Sequence, residues 1–148
     1  MSYLLGANTL LDLCVTGTTA DQWATTVRLS DCRVSVISLA IARELIQRDL
    51  ANDLVTLGRY QQALETRVNK IRRVGSPVLP FEELEAREWQ RWRRHAPLDI
   101  LINGIPQPVG HDTRMVIATA FVHGLTLVEP QEMYHTTLAN HGLQLVSL

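Results

Sequence analysis

The stretch Ala118-Thr119-Ala120-Phe121-Val122-His123-Gly124-Leu125-Thr126-Leu127-Val128 changes its hydrophobic pattern partway along. Met115, Ile117, Ala118, Ala120 and Phe121 are spaced as a helix, and Gly124 after His123 is the kind of residue that ends one. Asp112, just before this face, can cap the helix start. Leu125 to Val128 then reads as a short strand.

Working outward, the same alternation recurs. Met1 to Leu5 is a short apolar start, and Asn8 precedes the helical cluster Leu10, Leu11, Leu13, Cys14. Thr18, Thr19 and Asp21 supply start chemistry for a second helix bearing Trp23, Ala24, Val27 and Leu29. Arg33 to Ile37 is a strand candidate, and Ser38 can cap a helix carrying Leu39, Ala42, Leu45 and Ile46. From about Leu50 to Arg73 the residues Leu54, Leu57, Leu64, Val68 and Ile71 sustain a helix, with Gly58 marking a bend or break. Val78 and Leu79 suggest a short strand, and Leu84, Ala86, Trp89 and Trp92 line an amphipathic helix after Pro80. Ala96 to Gly110 contains three prolines with Asn103 and Gly104 and reads mainly as loop. Glu129 to Asn140 is polar, and Leu143 to Leu148 supplies a final strand. Helices alternating with short strands point to an α/β fold, a short and mostly parallel central sheet flanked by helices.

The chain of 148 residues is long enough to bury a core and is read as one domain, 1–148. Its 46% hydrophobic and 20% charged residues exclude a disordered or fibrous class. The 14 Lys and Arg against 15 Asp and Glu give no bulk attraction to nucleic acid, so any RNA contact must be local. Cys14 and Cys32 have no metal-ligand spacing and read as reduced thiols. With no membrane-length apolar run and no signal-peptide pattern, a cytoplasmic location is expected. The five histidines show no zinc spacing, and no Walker loop, dinucleotide fingerprint or GxSxG elbow is present.

Four landmarks fall in an order that resembles the PIN domains of VapC-type toxins: Tyr3-Leu4-Leu5-Gly6-Ala7-Asn8, Ser35-Val36-Ile37-Ser38-Leu39-Ala40, Val78-Leu79-Pro80-Phe81, and the helix-to-strand passage 118–128. Together they cover nearly the whole chain. The resemblance implies a PIN-like fold, a Mg²⁺- or Mn²⁺-dependent endoribonuclease that cuts structured RNA, a homodimer, and a cognate antitoxin as partner. Such chemistry needs clustered carboxylates, because hard divalent cations take oxygen ligands and activate bound water.

Against that pattern, the chain departs sharply. Gly6 stands where the family's opening motif has an Asp, two residues before Asn8. Ile41 occupies the second acidic position, and Glu44 on the same helical face is either a substitute or a solvated charge. The third acid would fall on Thr113, with Asp112 one residue earlier as a shifted ligand or an N-cap. Gln131 and Tyr134 align with the later Asn and Asp, leaving Glu129 and Glu132 as replacements or as surface loop acids. Asn8 could orient a ligand, and Asp12 lies one turn beyond it. The resemblance therefore assigns catalytic roles to Asp112, Glu44 and Asn8, and metal contacts to Asp112, Glu44, Glu129 and Glu132.

Arg72, Arg73, Arg87, Arg91, Arg93 and Arg94, with Trp89 and Trp92 among the last group, are either an RNA phosphate surface or a solvated helix face with its tryptophans inward. Two functions compete. One is a PIN-type toxin with a rebuilt acidic site; the other is a PIN-like module that binds a protein or RNA without metal-dependent cleavage.

Overall fold

The computed structural model describes residues 1–94, 99–102, 104–130 and 142–148. Three short strands, β1 (Tyr3–Leu5), β2 (Cys32–Val34) and β5 (Thr126–Glu129), and a fourth, β6 (Leu145–Ser147), form one sheet in the order β2-β1-β5-β6. All three pairings are parallel. Parallel sheets are buried on both faces, so their strands read as continuous apolar runs, as Leu4-Leu5 and Leu127-Val128 do here. Successive residues face opposite ways. Leu5 and Val128 join one core with Leu10, Ala42, Leu64 and Val68, while Leu4 and Leu127 join a second with Val116, Ile117, Ala120 and Leu143.

The helices α1 (Ala7–Asp12), α2 (Thr19–Ala24), α3 (Val36–Asp49) and α4 (Leu54–Arg73) contribute to the first core. Thr18 caps α2, accepting from the Asp21 N–H at 3.2 Å. α2 stops at Ala24, and Leu29–Asp31 forms a separate 3-10 turn rather than extending that helix. Ser35, not Ser38, caps α3: its hydroxyl accepts from the Ser38 N–H at 2.9 Å. In α4 the buried residues Leu57, Leu64, Val68 and Ile71 keep one face, and Gly58 sits inside an unbroken helix because tertiary packing of that face outweighs its propensity cost.

Ser35 and Leu79 form an isolated parallel bridge, with Leu79 N–H donating to Val34 and its carbonyl accepting from Val36, both at 2.8 Å. α5 (Glu83–Arg94) follows and packs against α6 (His111–His123). On α5 it is Glu85 that is buried, whereas Leu84 is exposed. The segment expected as loop holds an antiparallel hairpin, β3 (Asp99–Ile102) with β4 (Ile105–Pro108). Gly124 ends α6 at φ 61°, a left-handed conformation that favours glycine, and the chain passes directly into β5. Both cysteines are free thiols. No helix among the described residues is long and apolar enough to cross a membrane.

Candidate functional site

In an open parallel sheet, ligand sites collect beyond the C-terminal ends of the strands. Here those ends are Leu5-Gly6 on β1, Val34-Ser35 on β2 and Val128-Glu129 on β5. The pairing of Leu5 with Val128 puts Gly6 beside Glu129, and the Gly6 N–H donates to the Val128 carbonyl at 3.1 Å. Thr9 fastens the first turn of α1 to the same carbonyl through its hydroxyl, at 2.7 Å in a buried setting. β6 closes the other side: Glu129 pairs with Ser147, and its carbonyl accepts from the Leu148 N–H at 3.1 Å.

Glu129 is therefore not a surface loop acid. It is the last residue of β5 and only 2% exposed. A Cβ placed on Gly6 would fall 1.4 Å from Glu129 Oε1, 2.1 Å from its Cδ and 2.5 Å from its Cγ. The carboxyl group thus fills the volume in which a side chain at position 6 would begin. It faces the backbone N–H groups of Asn8 and Thr9 and the Asn8 side-chain amide, all of which favour its charged form. Burial outweighs them, with Asp12 adding like charge, and pushes its pKa up to about 8. Oε2 has no hydrogen-bond partner among the described residues. A neutral carboxyl is the state that such an unpaired buried oxygen allows at least cost.

The other candidates are placed differently. Asn8 is half-buried on α1 beside Glu129, and Asp12, on the same helix, has its pKa raised by burial. Glu44 is exposed on α3, where its charge acts on Arg48 one turn later. Asp112 is exposed in the first turn of α6 and does not cap it; Gly110 holds the N-cap position without a side-chain bond. Glu132, Gln131 and Tyr134 lie outside the described residues. The structure thus brings Glu129, Asn8 and Asp12 together.

A divalent ion needs several anionic oxygens around one point. Among the described residues, no group of three His, Cys, Asp or Glu side chains is placed to hold a metal. Among the described residues, Glu129 is the buried carboxyl at the strand ends, and with its pKa raised by burial a cation would have to compete there with a proton. The donor set among the described residues offers fewer converging carboxylates than such an ion takes.

Two features were not singled out in the sequence. Glu85 on α5 is 4% exposed; its Oε2 accepts from the Glu82 N–H at 3.0 Å and its Oε1 lies 2.8 Å from His123 Nε2. The spacing Glu82 to Glu85 at a helix start was the available signal. A cleft of about 230 Å³ between α1, α3 and α4 is lined by Leu11, Asp12, Val15, Leu45, Ile46, Asp49, Leu50 and Tyr60. Leu54 and Val55, in the first turn of α4, are 75% and 74% exposed.

Among the described side chains, Arg87 and Arg91 on α5 and Arg72 on α4 are engaged locally. Arg87 pairs with Glu83, Arg91 pairs with Glu88 at 3.3 Å and lies over the Phe121 ring, and Arg72 reaches Asn69. Trp89 is half-buried and donates to the His111 carbonyl at 3.3 Å. These contacts suit the solvated-face reading; the side chains of Trp92, Arg93 and Arg94 lie outside the described residues.

No protein-family model matches the chain, and no curated protein matches it. Solved structures do. FitAcB from Neisseria gonorrhoeae is 19% identical with a TM-score of 0.72, over 98% of this chain and 96% of that one. VapBC2 from Rickettsia felis, bound to a DNA fragment from its promoter, is 13% identical at 0.70, over 100% and 99%. Mycobacterium tuberculosis VapC20, described as a sarcin-ricin loop cleaving toxin, is 13% identical at 0.65, over 99% and 98%. At these identities the likeness is one of fold: the chain has the PIN-like α/β fold of the VapC-type proteins, over its full described length.

Proposed function

We propose that this PIN-like chain is a VapC-like toxin component that works by holding a small antitoxin-like protein, with little or no metal-dependent RNA cleavage. The observation that carries the reading is the state of the acids. Glu129 is buried with its pKa raised, Glu44 and Asp112 are exposed, and no three ligating groups converge among the described residues. A transition state with growing charge on phosphate would then lack the cation that stabilises it.

Support for a protein partner comes from two sides. Several of the structures with this fold are complexes, described as FitAcB, VapBC2 and a toxin-antitoxin complex from Klebsiella pneumoniae. The cleft between α1, α3 and α4 combines apolar walls with Asp12 and Asp49, a chemistry suited to a segment with apolar and basic side chains. The exposed Leu54 and Val55 add apolar surface suited to a protein partner or to a homodimer.

The second reading is a Mg²⁺- or Mn²⁺-dependent endoribonuclease rebuilt around Glu129. What favours it is the unpartnered Oε2 at the strand ends, with Asp12 and Asn8 beside it. One experiment separates the two readings. The chain is produced with the product of a neighbouring small reading frame, sized as a complex, and then assayed alone on structured RNA with added Mn²⁺. Complex formation without cleavage is expected. Mn²⁺-dependent cleavage that is lost in Glu129→Gln would overturn the proposal in favour of the nuclease.

A further inference from the structure

We infer that positions 6 and 129 form one acid-bearing locus, in which Glu129 on β5 supplies, into the space left open at Gly6, the single carboxyl group that positions the first turn of α1. This arrangement is internal to the chain and does not depend on a bound partner.

Gly6 is the N-cap of α1 with φ −73° and ψ 169°, a backbone conformation open to any residue. Glycine is therefore required there for space rather than for conformation. The space is taken by a residue adjacent in the parallel register, since Leu5 pairs with Val128 and the next residues are Gly6 and Glu129. The overlap of a position-6 Cβ extends from Oε1 to Cγ, so turning the carboxyl group alone would not clear it. The whole Glu129 side chain would have to leave a site that is 2% exposed and closed by β6.

An N-cap side chain ordinarily accepts from the N–H groups at the second and third helical positions. Gly6 has none to offer and makes no side-chain cap bond, whereas Asn8 and Thr9, at those positions, face the Glu129 carboxyl. The Glu129 carboxyl thus stands where a cap side chain at position 6 would begin. Because the two side chains would share one volume, the locus holds one carboxyl and not two. Glu129 is thus a positioning residue, acting on α1 and on the orientation of Asn8.

The test is a double-mutant cycle read by thermal unfolding and by amide exchange. Gly6→Asp and Glu129→Ala should each lower Tm by about 5–10 °C, and the exchange variant carrying both should melt above either single variant. Amide protection at Asn8 and Thr9 should fall in Glu129→Ala, persist in Glu129→Gln, and return in the exchange variant. Should Gly6→Asp fail to fold, Gly6→Ala with and without Glu129→Ala gives the same comparison. A Gly6→Ala variant as stable as the wild type, additive effects in the cycle, or unchanged protection at Asn8 and Thr9 would each overturn the inference.

Discussion

Two buried glutamates sit in different parts of this molecule and are held in opposite states. Glu85, in the seam between α5 and α6, is 4% exposed; Glu129, at the C-terminal ends of the strands, is 2% exposed. Burial pushes the pKa of each upward. At Glu85 the backbone N–H groups of the α5 start and the His123 imidazole outweigh it, and the pKa lies below the usual value of 4.5. At Glu129 the neighbouring amides do not suffice, Oε2 is unpaired among the described residues, and the pKa rises to about 8. Depth of burial and the supply of partners together decide whether such an acid carries charge. A seam that satisfies its carboxylate holds two helices together, whereas a strand end that does not satisfy it retains a neutral acid of little use to a cation.

The comparison breaks most visibly in the pH dependence of stability. Glu129 has a folded pKa above its ordinary 4.5, so the stability it contributes is full below about pH 4.5 and is lost as pH rises through about 8. Glu129→Gln should remove that dependence, making the variant more stable than the wild type by up to about 5 kcal/mol at pH 9, with the gap closing in acid. Urea unfolding across pH 4–9 measures it, and parallel profiles for the two proteins would count against a raised pKa.

Glu85 should behave with the reverse sign. Its pKa is depressed, so its contribution is present above 4.5 and is lost as pH falls through the lowered folded value. Glu85→Gln should cost about 2 kcal/mol at pH 7 and nearly nothing once the wild-type carboxyl is protonated. His123→Ala, which removes one of the Glu85 partners, should cost about 1 kcal/mol at pH 7. If His123→Ala proved as damaging as Glu85→Gln, the backbone contacts of Glu85 would be the minor part of its setting.

A smaller effect sharpens the same rule. Cys14 and Cys32 are pushed up to about 11, burial being the main cause at both, and so fall on the uncompensated side with Glu129. At pH 8 only about one thiol in a thousand would be thiolate. Reaction with a thiol reagent should follow the rate of unfolding; fast labelling of the native protein would show that either thiol is better served by its surroundings than its burial suggests.

Legibility in the sequence followed the same division. The passage from α6 into β5 was readable because a helical face, a glycine that must turn left-handed and an apolar run are all local signals. The hairpin of β3 and β4 was missed because Pro106 and Pro108 argued for loop. Two residues apart, they occupy the same class of ladder position, and an isolated ribbon leaves one such class facing away from its partner, where a missing N–H costs nothing. By type Asp112 reads as an N-cap or a shifted ligand, yet the α6 N-cap falls two residues earlier, at Gly110. At the candidate site, Asn8 and Glu129 were named, but the burial of Glu129 was not legible. It depends on β6 pairing from the far end of the chain and on the missing Cβ at Gly6, a contact made across strands 123 residues apart. The available signal was the pairing of a glycine after one parallel strand with an acid ending its neighbour.

The most direct test of the account is an NMR titration of the Glu129 side-chain carboxyl carbon from pH 4 to pH 10, with and without Mg²⁺. The account predicts a midpoint near pH 8 that Mg²⁺ leaves in place. A midpoint near the ordinary 4.5, or one that Mg²⁺ drives downward by competing with the proton, would contradict it and return Glu129 to the role of metal ligand.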